Sequence, residues 1–145
     1  MQVERREVRT GPLVNGLRVI DHGLRPEDWV VVRGEQVEYR MIGAETSVDG
    51  LGFELIQPVS GPSIYQEFLD AHGEGVQHIA CMKHSAQDSQ ALKDHWRERG
   101  AEILMGGRIG ESIEFYYLDT SPMLKFVLES GSGHAIDLEP TYVYP

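Results

Sequence analysis

Val76-Gln77-His78-Ile79-Ala80-Cys81-Met82 opens the part of the chain whose reading decides the fold. This apolar, strand-like run is followed by a helical stretch from about residue 87 to residue 99. There Leu92 and Trp96 stand four apart and Gly100 offers a stop. Strand-like runs then cover Glu102 to Met105, Ser112 to Leu118 and Leu124 to Leu128. Gly106-Gly107 and Asp119-Thr120-Ser121-Pro122 supply the turns between them. The predicted order over 75–130 is therefore one complete βαβββ unit.

Working outward, the first half shows three strand-like runs, Trp29 to Val32, Val37 to Ile42 and Gly52 to Ile56, without an opening strand and helix. Residues 1–28 hold Gly11-Pro12, Asn15-Gly16, Gly23 and Pro26, too closely spaced for a long helix. This predicts a shortened first unit over 1–59. A linker helix over 60–74 follows Gly61-Pro62, with Ile64, Phe68 and Leu69 on one side. Residues 131–145 read as an extended tail. The expectation is one α+β domain over 1–145 with a mixed sheet, the two halves pairing into one curved surface.

Composition narrows the function. The chain has 145 residues, 41% of them hydrophobic, which excludes a disordered chain. Thirteen Lys and Arg against 23 Asp and Glu leave a formal charge of -10 with no basic patch, so nucleic acid is a poor partner. No apolar run reaches the roughly 18 residues of a membrane span. The charged start Met1-Gln2-Val3-Glu4-Arg5-Arg6 leads into no apolar core, so no secretory signal is expected. Cys81 is the single cysteine and cannot form an internal disulfide. It is expected in the core of a cytoplasmic protein. No Gly-rich phosphate loop and no G-x-S-x-G elbow is present.

Glu54, His78 and Glu129 each lie in or beside an apolar strand, as Phe53-Glu54-Leu55, Gln77-His78-Ile79 and Leu128-Glu129. A carboxylate among apolar neighbours is costly unless something compensates it. Two carboxylates and an imidazole holding a divalent cation is one compensation, and first-row metals accept such mixed sites. The other reading turns both glutamates outward to water and leaves His78 as an ordinary strand histidine. Their spacing alone leaves both open. Glu45 reads as a turn or edge charge, His72 and His84 as capping or solvated residues, and His95 as part of a charged helix face.

The strings Phe53-Glu54-Leu55-Ile56-Gln57-Pro58, Gly61-Pro62-Ser63-Ile64-Tyr65 and His72-Gly73-Glu74-Gly75-Val76-Gln77-His78-Ile79-Ala80 resemble the vicinal oxygen chelate superfamily. Within it they are most similar to the methylmalonyl-CoA epimerase and glyoxalase-like branch. Tyr117-Leu118-Asp119-Thr120 and the strand closing on Glu129 are similar to that branch's last two strands. The resemblance implies paired βαβββ modules forming a cupped sheet around a divalent metal (Co, Mn, Ni, Zn or Fe). Glu54, His78 and Glu129 fall on three of its usual four ligand positions. The fourth, a histidine or glutamine on the opening strand, has no counterpart, because the resemblance places the start of the chain after that strand. His22 does not match it. Glu38 falls near a second carboxylate that acts as a base in the epimerases, with Glu129 as ligand and base.

The implied function is a metal-dependent lyase or isomerase that removes a proton beside a carbonyl. The substrate is a CoA thioester such as methylmalonyl-CoA or, next, a thiol adduct of a 2-oxoaldehyde, as in lactoylglutathione lyase. A homodimer is expected, because a unit lacking its first strand leaves a sheet edge unpaired. The competing class is a non-catalytic small-molecule binding protein on the same fold.

Overall fold

The computed structural model describes residues 9–14, 17–21, 29–49, 51–81, 85–109 and 113–133. In chain order the elements are β1 (Arg9–Val14), β2 (Leu17–Asp21), β3 (Trp29–Val32), β4 (Glu35–Gln36), β5 (Arg40–Val48) and β6 (Leu51–Ser60). Helix α1 (Ile64–His72), β7 (His78–Ala80) and α2 (Ala86–Arg97) come next. The chain then forms β8 (Ile103–Ile109), β9 (Ile113–Leu118), the short helix α3 (Ser121–Leu124) and β10 (Val127–Ser132). The class is α+β. No helix among the described residues is long and apolar enough to cross a membrane.

The main sheet has six strands in the order β4-β3-β8-β9-β10-β7. Only β7 runs parallel to its neighbour, β10; the other pairings are antiparallel, which makes the sheet mixed. A parallel pair needs a long crossover, and the crossover here carries α2, β8, β9 and α3. The described strands do not join into one sheet as the sequence predicts. β1–β2 and β5–β6 form separate antiparallel pairs, while β3 pairs with β4 on one edge and joins β8 of the second half on the other.

Several boundaries also differ. The run expected over Val37 to Ile42 becomes a strand only at Arg40 and continues to Val48. The run expected over Leu124 to Leu128 is split. Pro122 stands in the first turn of α3, Lys125 closes that helix in the left-handed region (φ 68), and the strand starts at Val127. Thr120 Oγ1 donates to the carbonyl of Phe126 at 2.7 Å and holds this corner.

Helix α1 starts where the sequence places it, and for local reasons. Gly61 has φ 81, and a side chain there would collide with the backbone carbonyl oxygen of Glu38, so only glycine fits the turn after β6. Ser63 then caps the helix, its Oγ accepting from the Gln66 N–H at 3.2 Å. Ser85 does the same for α2 with Asp88 N–H at 3.0 Å, and its hydroxyl donates back to the Asp88 carboxylate.

The main sheet packs on both faces. On one, Trp96 of α2 covers Tyr116, Leu118 and Leu128. On the other, Val30, Val32, Met105, Tyr117 and Val127 pack against Ile64 and Tyr65 of α1, with Met41 and Ile56 of the β5–β6 ribbon joining them. Strand alternation carries β10 from Val127 to Glu129 on this second face. The core therefore ends at an ionisable group.

Candidate metal centre

His78 opens β7 and lies opposite Val127 of β10 in parallel register. Two residues further along β10, Glu129 points the same way, and its neighbour across β9 is Tyr117. Glu54 arrives from the separate β5–β6 ribbon, two residues before Ile56, which is anchored in the core. Period-two alternation thus turns Glu54 inward beside Ile56, while Phe53 and Leu55 on either side are exposed.

These three side chains converge. His78 Nε2 lies 3.1 Å from Glu129 Oε2 and 3.5 Å from Glu54 Oε2. One donor atom from each residue falls within 4.8 Å of the other two. The His78 and Glu129 side chains are largely shielded, at 12% and 14% exposure, and that of Glu54 is 30% exposed. On the opposite ring edge, His78 Nδ1 is 2.6 Å from Gln77 Oε1.

Electrostatics permits two ways to satisfy this group. Burial pulls the His78 ring toward neutrality, but hydrogen bonds to Glu129 and Glu54, and their charges, outweigh it and raise the pKa to about 9. Without a cation, the ring itself carries the positive charge. A divalent ion between the three heads is the other solution, and the two histidine–carboxylate separations fit one. Bonds of about 2.1 Å place neighbouring donors roughly 3.0 Å apart at right angles, 3.4 Å at a tetrahedral angle and 4.2 Å when opposed. The two observed histidine–carboxylate distances lie close to the first two of these values. The donor set, two oxygens and one imidazole nitrogen without sulfur, suits first-row divalent ions.

Three tyrosines wall the group on its inner side. The Tyr117 ring meets His78 edge-on at 5.3 Å between centroids, and Tyr65 lies 6.5 Å away. Tyr65 donates its hydroxyl proton to Tyr117 at 2.8 Å, and Tyr39 stands 6.2 Å from Tyr65. Burial, reinforced by the charges of Glu54 and Glu129, pushes Tyr39 up to about 12. Burial likewise raises Tyr65 and Tyr117 well above the usual phenol value. All three stay neutral at physiological pH and add no negative charge to the site. Read singly in the sequence, these tyrosines are ordinary core aromatics; only the register setting Tyr117 beside Glu129 brings them to the site.

The other candidates fall elsewhere. Glu38 is exposed, just before β5, and its backbone sits against Gly61. Glu38 is not among the residues whose donor atoms converge with those of Glu54, His78 and Glu129. Cys81, expected in the core, is exposed, because β7 is an edge strand and ends just before it. Glu45, expected in a turn or at an edge, lies within β5 with Glu54 as its register partner. His72 closes α1 and is exposed, and His95 is exposed on α2. His22, His84 and the residues of the predicted tail beyond Gly133 lie outside the described residues. No protein-family model matches the chain, and no curated protein matches it either.

Proposed function

We propose that Glu54, His78 and Glu129 bind one divalent first-row cation. We further propose that the protein is a metal-dependent lyase or isomerase of the vicinal oxygen chelate type, moving a proton beside a carbonyl. The observation that carries this reading is the convergence of the three heads from two separate sheets onto one point. In this reading β7, α2, β8, β9 and β10 form one βαβββ module, and the ribbon supplying Glu54 belongs to a shortened partner module.

When bound, such an ion supplies Lewis-acid stabilisation of the negative charge that develops on the substrate oxygen. The protein's own residues do the rest. His78 and Glu54 hold the site's geometry. Glu129, the better shielded carboxylate, takes the proton from the carbon and returns it. Tyr65 and Tyr117 close the inner wall against water, and as neutral phenols they add no further anion to the site.

The position of Glu38 bears on the substrate. Inverting a carbon centre needs a second acid on the opposite face, and Glu38 is not grouped with Glu54, His78 and Glu129. A single base that removes and returns a proton suits a shift within a thiol adduct of a 2-oxoaldehyde better than epimerisation of a CoA thioester such as methylmalonyl-CoA.

The test is deuterium exchange. With a divalent ion supplied, the protein should wash solvent deuterium into the carbon beside the carbonyl of such an adduct, read by mass spectrometry. Glu129→Gln should lower the rate by at least about a hundredfold. An ion-loaded protein giving no exchange with either substrate class would overturn the enzyme reading in favour of a small-molecule binder.

A further inference from the structure

Gln77 makes a contact that a regular strand forbids. Within a strand, successive side chains point to opposite faces, so neighbours do not touch. Gln77 stands one residue before β7 begins, outside the regular ladder, although its carbonyl accepts from the Val127 N–H at 3.3 Å. Its side chain is free to fold alongside the next ring, and its Oε1 reaches His78 Nδ1 at 2.6 Å. A carbonyl oxygen only accepts, so the hydrogen of this bond belongs to Nδ1.

In the neutral ring, a hydrogen held on Nδ1 leaves the Nε2 lone pair bare. That nitrogen is the one facing Glu129 and Glu54. Aimed at two carboxylates with nothing between, a bare lone pair is repelled. Aimed at a cation held by the same carboxylates, it is a ligand. We infer that Gln77 is a positioning residue, fixing His78 in the Nδ1–H form with Nε2 turned to the ion. The inference rests on the reading that the group binds a divalent ion. Gln77 orients the ring as a neutral amide, adding no third negative charge to a site that already holds two carboxylates.

The full chain with Zn²⁺ tests this, because zinc is diamagnetic and the histidine nitrogens can be followed by NMR. In the wild type, zinc-loaded His78 should show a proton on Nδ1 and coordination through Nε2. Gln77→Met, similar in length but without the carbonyl, should bind zinc about 10–100-fold more weakly and lose the protected Nδ1–H signal. Gln77→Ala should behave alike, and unfolding midpoints in urea would show that both variants fold. Folded variants with wild-type zinc affinity and the same His78 tautomer would overturn the role of Gln77 and leave ion binding intact. A wild type that binds no zinc in the micromolar range would overturn both.

Discussion

His78 is the residue on which the site turns, because it alone can carry the group's positive charge as a proton or give it up to an ion. Its folded pKa of about 9 lies above the unfolded value of 6.5. Its contribution to stability is therefore fully present below pH 6.5 and lost as pH rises through about 9. In the metal-free chain this should cost roughly 1–3 kcal/mol between those limits, once solvent screening is allowed for. Urea unfolding at pH 6 and pH 10 measures it, with His78→Ala as the reference that lacks the step. Parallel curves for the two proteins would mean that His78 is not paired with Glu54 and Glu129. The three charged residues are visible in the sequence because each interrupts an apolar run. Their meeting is not, since it depends on a separate two-stranded ribbon packing against the main sheet. The tyrosines are hidden for the opposite reason: nothing in Ile64-Tyr65-Gln66 or Tyr116-Tyr117-Leu118 separates a site wall from a core aromatic.

At the scale of elements, the joint between β6 and α1 holds the ribbon, and with it Glu54, in place. Gly61→Ala should destabilise by at least about 2 kcal/mol, because it combines a left-handed backbone with a collision against the Glu38 carbonyl. Ser63→Ala should cost about 1 kcal/mol through loss of the cap. Chemical denaturation checks both, and equal, small effects would show that the turn is not constrained. Helices were the legible elements, since Ser63 and Ser85 are cap residues ahead of periodic apolar positions. The β1–β2 pair is less so. Asn15-Gly16 between Leu13-Val14 and Leu17-Arg18-Val19-Ile20 is a hairpin signal, but the neighbouring Gly11-Pro12 breaks the alternation that would announce a strand. Strand ends misread elsewhere follow pairing: β5 and β6 run long because each has the other to pair with along its length.

For the whole molecule, alternation along β6 leaves Leu51, Phe53 and Leu55 between 47% and 62% exposed on the side away from Glu54 and Ile56. A row of large apolar side chains on one face is what association covers, and twofold pairing is the commonest closed arrangement. A dimer is expected at micromolar concentration by sedimentation equilibrium, with Phe53→Lys shifting it toward monomer. A wild-type monomer without concentration dependence would contradict it. The α+β class and the strand–helix–three-strand order from β7 onward were legible, because apolar periodicity and turn residues agree there. The division of the sheets was not, since Trp29-Val30-Val31-Val32 pairs with β4 of its own half on one edge and with β8 of the other half on the other. The proposed chemistry depends on the proposed binding of one divalent ion by Glu54, His78 and Glu129. Elemental analysis after loading with Mn²⁺, Co²⁺ or Zn²⁺ and exhaustive dialysis at pH 7.5 tests it most directly. The expected result is one ion per chain in the wild type and none in a folded His78→Ala variant; a metal-free wild type, or equal metal content in both, would contradict it.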